Sequence, residues 1–318
     1  MGYTVVIKLL KKEMKLLEHL SHRIDKIVLG VAITVLTVSL YLVYALNQHY
    51  TQKETIASLD TMLRFTRNML DEEQQHALSL SVLLSQDREL LQAYFDNDRN
   101  RTFSIVQRKI ESLQRMQGYA FEVQVHDRQL RTYLRSWDFA IQGEPLAGFR
   151  EGLVIVRNQR RPLVSIEVGK RLNIKAISPI LRDQKFAGSI EVIEGFAHLR
   201  KRLSEQGYQL YVLLDKKYLP IALTLREAPI LSGKFVLVGA VRDSESFDAL
   251  RSTPLDNLGS FGYFTGGKHL FGYFDLRNYH NDRLGYLLIT PVDTVLFSAE
   301  VRHNASGTQQ PDKGVIIR

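Results

Sequence analysis

The sequence predicts an α+β protein: an N-terminal transmembrane helix, a long stalk helix, and two modules that each carry an antiparallel sheet. Three observations lead there. Residues 27–46 contain no charge, residues 50–95 lack Gly and Pro and repeat apolar positions in steps of three and four, and the period then drops to two in short separated runs. Helix precedes strand instead of alternating with it, which favours α+β over a wound parallel sheet.

Residues 1–26 read as a cytoplasmic, amphipathic basic segment, with Leu10, Met14, Leu17 and Ile24 near helical spacing and lysines between them. Such a face suits the inner leaflet or a partner helix. Residues 27–46 follow as the span; at about 1.5 Å per residue a helix of that length covers roughly the 30 Å of a bilayer's hydrocarbon core. Lys8, Lys11, Lys12, Lys15, Arg23 and Lys26 precede it, and Lys53 is the one lysine close behind. That bias places the N-terminus in the cytoplasm and the main domain outside. The run is long for a cleaved leader, and no A-x-A-type site follows near Ala45, so a retained anchor is expected.

The stalk helix is assigned to residues 47–96, where Ile56, Leu59, Leu63, Thr66, Leu70, Glu73, Ala77, Leu80 and Leu84 form a stripe that polar Thr66 and Glu73 interrupt. The lower end of that seam is expected to pair with a second copy, and the upper end to pack on its own domain. A first module spans 97–205 and a second 206–300. In the first, Phe121, Val123 and Val125 alternate with polar residues as a strand, and 130–137 returns from the turn at His126-Asp127-Arg128. A helix is favoured at 149–158, then strands at 162–168, 172–180 and 188–193, and a helix from Phe196 to Leu203. The second module reads as strands at 207–215 and 232–241, and a pair of strands over 262–291 around a polar turn. The tail, 301–318, is expected to be disordered.

Composition narrows the functional classes. The net charge of +8 is concentrated partly before the span and otherwise spread out, without a basic run that could track phosphates, so nucleic-acid binding is not expected. With no cysteine, disulfides, thiolate metal sites and a cysteine nucleophile are excluded. The nine histidines form no compact ligand spacing, no G-x-S-x-G elbow occurs, and Gly266-Gly267-Lys268 lacks the rest of a phosphate loop. Neither catalysis, a cofactor nor a metal is expected.

Two groups of residues point to ligand binding. Period-two alternation would send Tyr133, Arg135 and Trp137 to one face, giving a stacking surface beside a planar cation that can hold a carboxylate through paired hydrogen bonds. Asp138 follows directly. A bland alternative has Trp137 filling the core and Arg135 paired with an internal acid such as Glu167. In the second group, Glu167 and Lys175 interrupt otherwise apolar strands, and Arg150 stands on the intervening helix. Ionisable groups facing inward are costly unless paired or used; on the solvent face of a one-sided sheet they would be ordinary.

Residues from about 50 to 300 resemble the double Cache sensor domains of bacterial chemoreceptors and sensor kinases. The long helix after a first span, LRSWD, SIEVGKRLNIKAISPI and GSIEVIEGF carry the resemblance. It implies a membrane-distal PAS-like module with a ligand pocket, a smaller membrane-proximal one, and an inner-membrane protein whose main domain is periplasmic. In members that recognise amino acids, an aromatic and then R-x-W-Y line the pocket; Tyr133, Arg135 and Trp137 match, whereas Asp138 stands in place of the second aromatic. Family members usually return through the membrane to an output domain, and no second span is found after residue 46. The expected function is therefore a sensor for a small carboxylate-bearing ligand, signalling through the stalk to a partner protein or as a homodimer. The alternative is a ligand-free membrane-tethered scaffold, or a receptor cut short.

Overall fold

The computed structural model describes the backbone of residues 2–118, 120–239, 244–292 and 302–305, and the side chains of 29–47, 56–116, 118, 120–239 and 244–292. The amphipathic face expected in 1–26 and most of the tail lie outside those residues. The chain divides into two units, Met1–Ser58 and Leu59–Arg318.

The first unit is the N-terminal part of helix α1 (Gly2–Ser85). Within it Leu29–Asn47 is long and apolar enough to cross a membrane, and none of it is buried by protein. Two of its polar side chains are satisfied inside the helix: the Thr34 and Thr37 hydroxyls donate to the carbonyls of Gly30 (2.9 Å) and Ile33 (2.8 Å).

The second unit holds the rest of α1 and two sheets. The helix expected to continue to Phe95 ends at Ser85, because Asp87 caps a new one. Its carboxylate accepts the Leu90 amide at 2.9 Å and starts α2 (Arg88–Phe95). Asp98 does the same for Arg101 at 2.9 Å and starts α3 (Arg99–Gln117), a helix not foreseen, which closes on Gly118 at φ 78°. Then come β1 (Glu122–His126), β2 (Thr132–Arg135), α4 (Glu151–Gln159), β3 (Leu163–Val168), β4 (Leu172–Arg182), β5 (Lys185–Glu194) and α5 (Ala197–Glu205). The strands form a five-stranded antiparallel sheet in the order β2-β1-β5-β4-β3.

Strands β6 (Tyr208–Asp215), β7 (Ile230–Leu231) and β8 (Phe235–Leu237), helix α6 (Glu245–Arg251), and strands β9 (Phe261–Gly266), β10 (His269–Arg277), β11 (Arg283–Pro291) and β12 (Arg302–Ala305) build the second part. Their sheet is seven-stranded, β12-β9-β10-β11-β6-β8-β7. Where a pair of strands was expected there are three, since the chain turns at Gly267-Lys268 as well as at 278–282. The tail is not wholly irregular either: Arg302–Ala305 pairs with β9.

Helix α1 lies against one face of both sheets. On the first, Ser81 Oγ and Ser178 Oγ are 2.8 Å apart, Ser178 standing on β4. On the second, the Arg67 guanidinium lies 4.9 Å from the Phe274 ring centre, and Gly272 of β10 leaves room for Leu59 and Leu63. Leu59, Leu63, Leu70, Ala77, Leu80 and Leu84 are all buried within the chain, Leu59 and Leu63 completely. The stripe expected to pair partly with a second copy is thus covered by the chain's own sheets from Leu59 upward.

The opposite faces differ between the sheets. On the second, Tyr211, Phe235, Phe264, Phe271, Tyr273 and Tyr286 pack into one buried cluster with Leu250 of α6. On the first, that face is polar.

Candidate functional site

Strand register creates this polar face. Arg135 pairs with Gln124, Gln124 with Glu191, Glu191 with Ile177, and Ile177 with Leu163, one row across all five strands. Cross-strand partners share a face, and so do residues two apart. His126, Ser189, Lys175, Asn173, Ser165 and Glu167 therefore join Glu191 on the side away from α1. The intervening residues, among them Val123, Val192, Ala176 and Ile166, are buried towards α1.

Helix α4 covers the apolar end of this face through Leu153 and Val156, which pack with Leu163 and Ile177. Its N-terminus brings in Arg150, whose amide donates to the Leu146 carbonyl at 3.0 Å. A cation there is unfavourable to the helix dipole, so the carboxylates opposite must compensate. Arg150 ion-pairs with Glu191 through Nη2, and its Nη1 lies 3.3 Å from the second Glu191 oxygen. Burial opposes ionisation of Glu191, but Arg150 and Lys175 outweigh it and hold the carboxyl below the usual range. Glu167 Oε2 is 3.5 Å from Arg150 Nε, too long for a hydrogen bond, and that buried Nε has no acceptor. The other Glu167 oxygen accepts from Ser165 Oγ at 2.9 Å.

Lys175, on β4, is 3 % exposed within the same cluster. Burial first, and then the positive charge of Arg150, push its amine down to about 8. His126, completely buried beside Glu191 and Ser189 (3.5 and 3.0 Å), is pushed down to about 4 by burial and so is neutral. Glu167 also lines an open cleft towards the second sheet, with Phe149, Gly152, Tyr218, Tyr279 and His280.

The structure brings Arg150, Glu167 and Lys175 together and parts the aromatic group. A β-bulge between Val125 and His126, opposite Tyr133, breaks the alternation on which the shared face rested. Tyr133 turns to α2, its ring 4.9 Å from Tyr94. Arg135 stays on the polar face but pairs with Glu144, which Lys170 also reaches at 3.2 Å. Trp137 lies beyond β2, 42 % exposed between the Arg135 and Arg171 guanidiniums at 5.7 and 5.8 Å. It is neither core nor buried pocket. Asp138 accepts the Ala140 amide at 3.2 Å and shapes its own turn. Sequence reasoning passed over Glu191, His126 and Glu144. Glu191 carried the signal already applied to Glu167 and Lys175, an ionisable residue within an apolar strand.

Two antiparallel sheets thus rest on one helix, and the first carries a buried charge cluster on the face away from it. The family model for the double sensory domain of two-component sensor kinases, dCache_3, matches residues 52–291, and the chain belongs to this double Cache family. Among solved structures, the sensor domain of the V. cholerae histidine kinase DctB aligns at 13 % identity and TM-score 0.45, covering 75 % of this chain and 98 % of that one. A domain of a sensory box/GGDEF family protein from Vibrio parahaemolyticus gives 15 % identity and TM-score 0.47 over 75 % of this chain and 96 % of that one. The ligand-binding domain of the Campylobacter jejuni chemoreceptor Tlp3 in complex with L-valine gives 13 % and 0.44 over 78 % and 96 %. No curated protein matches the chain.

Proposed function

We propose that this protein is a single-pass inner-membrane sensor, its N-terminus cytoplasmic, whose first sheet binds a small ligand bearing a carboxylate in the periplasm. One observation carries the reading: Arg150 Nε is a buried cationic donor without a hydrogen-bond acceptor, and the Lys175 amine, 3 % exposed, stands in the same cluster. Unmet buried donors are expensive, and a carboxylate would supply the missing oxygens. Glu167 stands beside Arg150 as an internal carboxylate that a ligand could displace, and the cleft it lines offers a way in. Arg135, Trp137 and Glu144 form the rim.

Signalling is proposed to run through α1. The helix rests on both sheets, so a change in the first sheet's curvature or in α4 moves its seat. The energy transmitted is limited by the ligand's differential affinity for the two seats. A partner protein or second copy would engage the exposed side of α1, since the apolar stripe is covered. The burial of that stripe also weakens the scaffold alternative, which relied on it. A thermal-shift screen of the full chain in detergent against amino acids, organic acids and amines tests the reading. A carboxylate at about one hundred times its dissociation constant should add roughly 2.7 kcal/mol of stability, and the gain should vanish in Lys175→Met. Stabilisation by amines lacking a carboxylate would overturn it.

A further inference from the structure

On the other face of the first sheet, where α1 meets α5, a second set of ionisable groups is buried. Glu73 of α1 and Glu194 at the end of β5 are 4 % and 2 % exposed. His198 Nδ1 of α5 is 2.9 Å from Glu73 Oε1, and His76 Nδ1 of α1 is 3.3 Å from Glu194 Oε1. Glu73 Oε2 is buried with no hydrogen-bond partner. The nearby charges are Glu72 on α1, and Lys201, Arg202 and Glu205 on α5, with Arg202 Nη1 3.3 Å from Glu72 Oε2. Two carboxylates in one buried seam, one with an unmet oxygen, cannot both ionise without strong repulsion and desolvation.

We infer that the Glu73–Glu194 pair is a proton-binding sensory site, distinct from the ligand cluster, whose ionisation loosens α1 from α5. Its position gives the proton leverage. Helix α5 connects β5 of the first sheet to β6 of the second, so the seam joins the stalk helix to the passage between modules. Burial, and then the Glu194 charge, raise the Glu73 carboxyl to about 8. Burial also raises Glu194, and it lowers His198 with help from Arg202 and Lys201, so His198 does not supply full compensating charge near neutrality. At neutral pH the seam holds a proton; in alkaline medium it holds two buried anions.

The chain has no cysteine, so two introduced thiols can be labelled cleanly. Spin labels on Ser79→Cys of α1 and Ser204→Cys of α5, both exposed positions, report the seam in the full chain in nanodiscs. Pulsed EPR distance distributions between pH 6 and 9 should lengthen or broaden with a midpoint near 8. Glu73→Gln, neutral at every pH, should hold the low-pH distribution throughout. Glu194→Gln should lower the midpoint, because it removes the repulsion on Glu73. A distribution constant across the range, or a transition unchanged in Glu73→Gln, would overturn the inference. So would a transition abolished by EDTA, which would assign the pair to a divalent cation.

Discussion

Arg150 at the N-terminus of α4 and Glu191 in the middle strand of the first sheet form an ion pair with both side chains withdrawn from solvent. They come from different layers, so the pair fixes α4 on the polar face and determines which charges remain unmet beneath it. Neither partner is replaceable alone, because the survivor would be a bare buried charge.

Glu191→Gln leaves Arg150 and Lys175 without their shared counter-charge, and a loss of about 3–5 kcal/mol in unfolding free energy is expected. The double variant Arg150→Met/Glu191→Leu should recover most of it, since matched apolar groups carry no desolvation cost. Urea denaturation of the three proteins checks this. A single variant within about 0.5 kcal/mol of the parent would mean that solvent or an ion reaches Arg150.

Lys175→Met should part stability from binding. The buried amine has no carboxylate of its own, so replacing it with an apolar chain of similar length should stabilise the fold by about 1–3 kcal/mol at pH 7. The same change should remove carboxylate binding. In the parent, affinity should weaken as pH rises above about 8, where the free protein's amine loses its proton. Calorimetric titration at pH 7 and 9 gives both readings. Tight binding by the variant would move the anion site elsewhere.

His126 predicts the acid limb of stability. Its folded pKa, lowered to about 4 by burial, lies below the unfolded 6.5, so the native state binds fewer protons than the unfolded state between those values. Stability from this group is full above pH 6.5 and is lost as pH falls towards 4. Glu73 acts oppositely: its pKa is raised to about 8, so its contribution is full below 4.5 and lost as pH rises through 8. The parent should therefore lose stability towards both ends. His126→Gln, which cannot charge, should flatten the acid limb alone; an unchanged limb would assign it to other groups.

Much of the architecture was legible because period and punctuation agreed. The uncharged run, the Gly- and Pro-free stripe and the period-two strands each point to one element type. Breaks made by side-chain caps were not: Asp87 and Asp98 end and restart helices with no Gly or Pro to announce it. The candidate site was half legible. Arg150, Glu167 and Lys175 converge because each is a charge set into an apolar element, a local signal. The grouping of Tyr133 with Arg135 failed because a bulge depends on the neighbouring strand's register, which alternation within one strand does not encode. The stripe on α1 was real, but one helix's periodicity says that a face is covered, not by what.

Gly272 tests how closely α1 depends on the second sheet. A Cβ built there would stand 2.7 Å from Leu63 Cδ1 and 3.0 Å from Leu59 Cγ, so helix or strand must move to admit it. Neither leucine has free space to retreat into, both being completely buried. Gly272→Ala is accordingly expected to cost about 1–3 kcal/mol, although alanine suits a strand better than glycine does. Leu63→Ala alone should cost about 2–5 kcal/mol by leaving a cavity. Combined, the two should cost less than their sum, because the new methyl enters the space that Leu63 vacates. Additive losses in a denaturation cycle would mean that Gly272 limits strand geometry instead of helix approach. A coupling of 1 kcal/mol or more would establish direct contact between stalk and sheet, the contact through which the second module must feel any movement of α1.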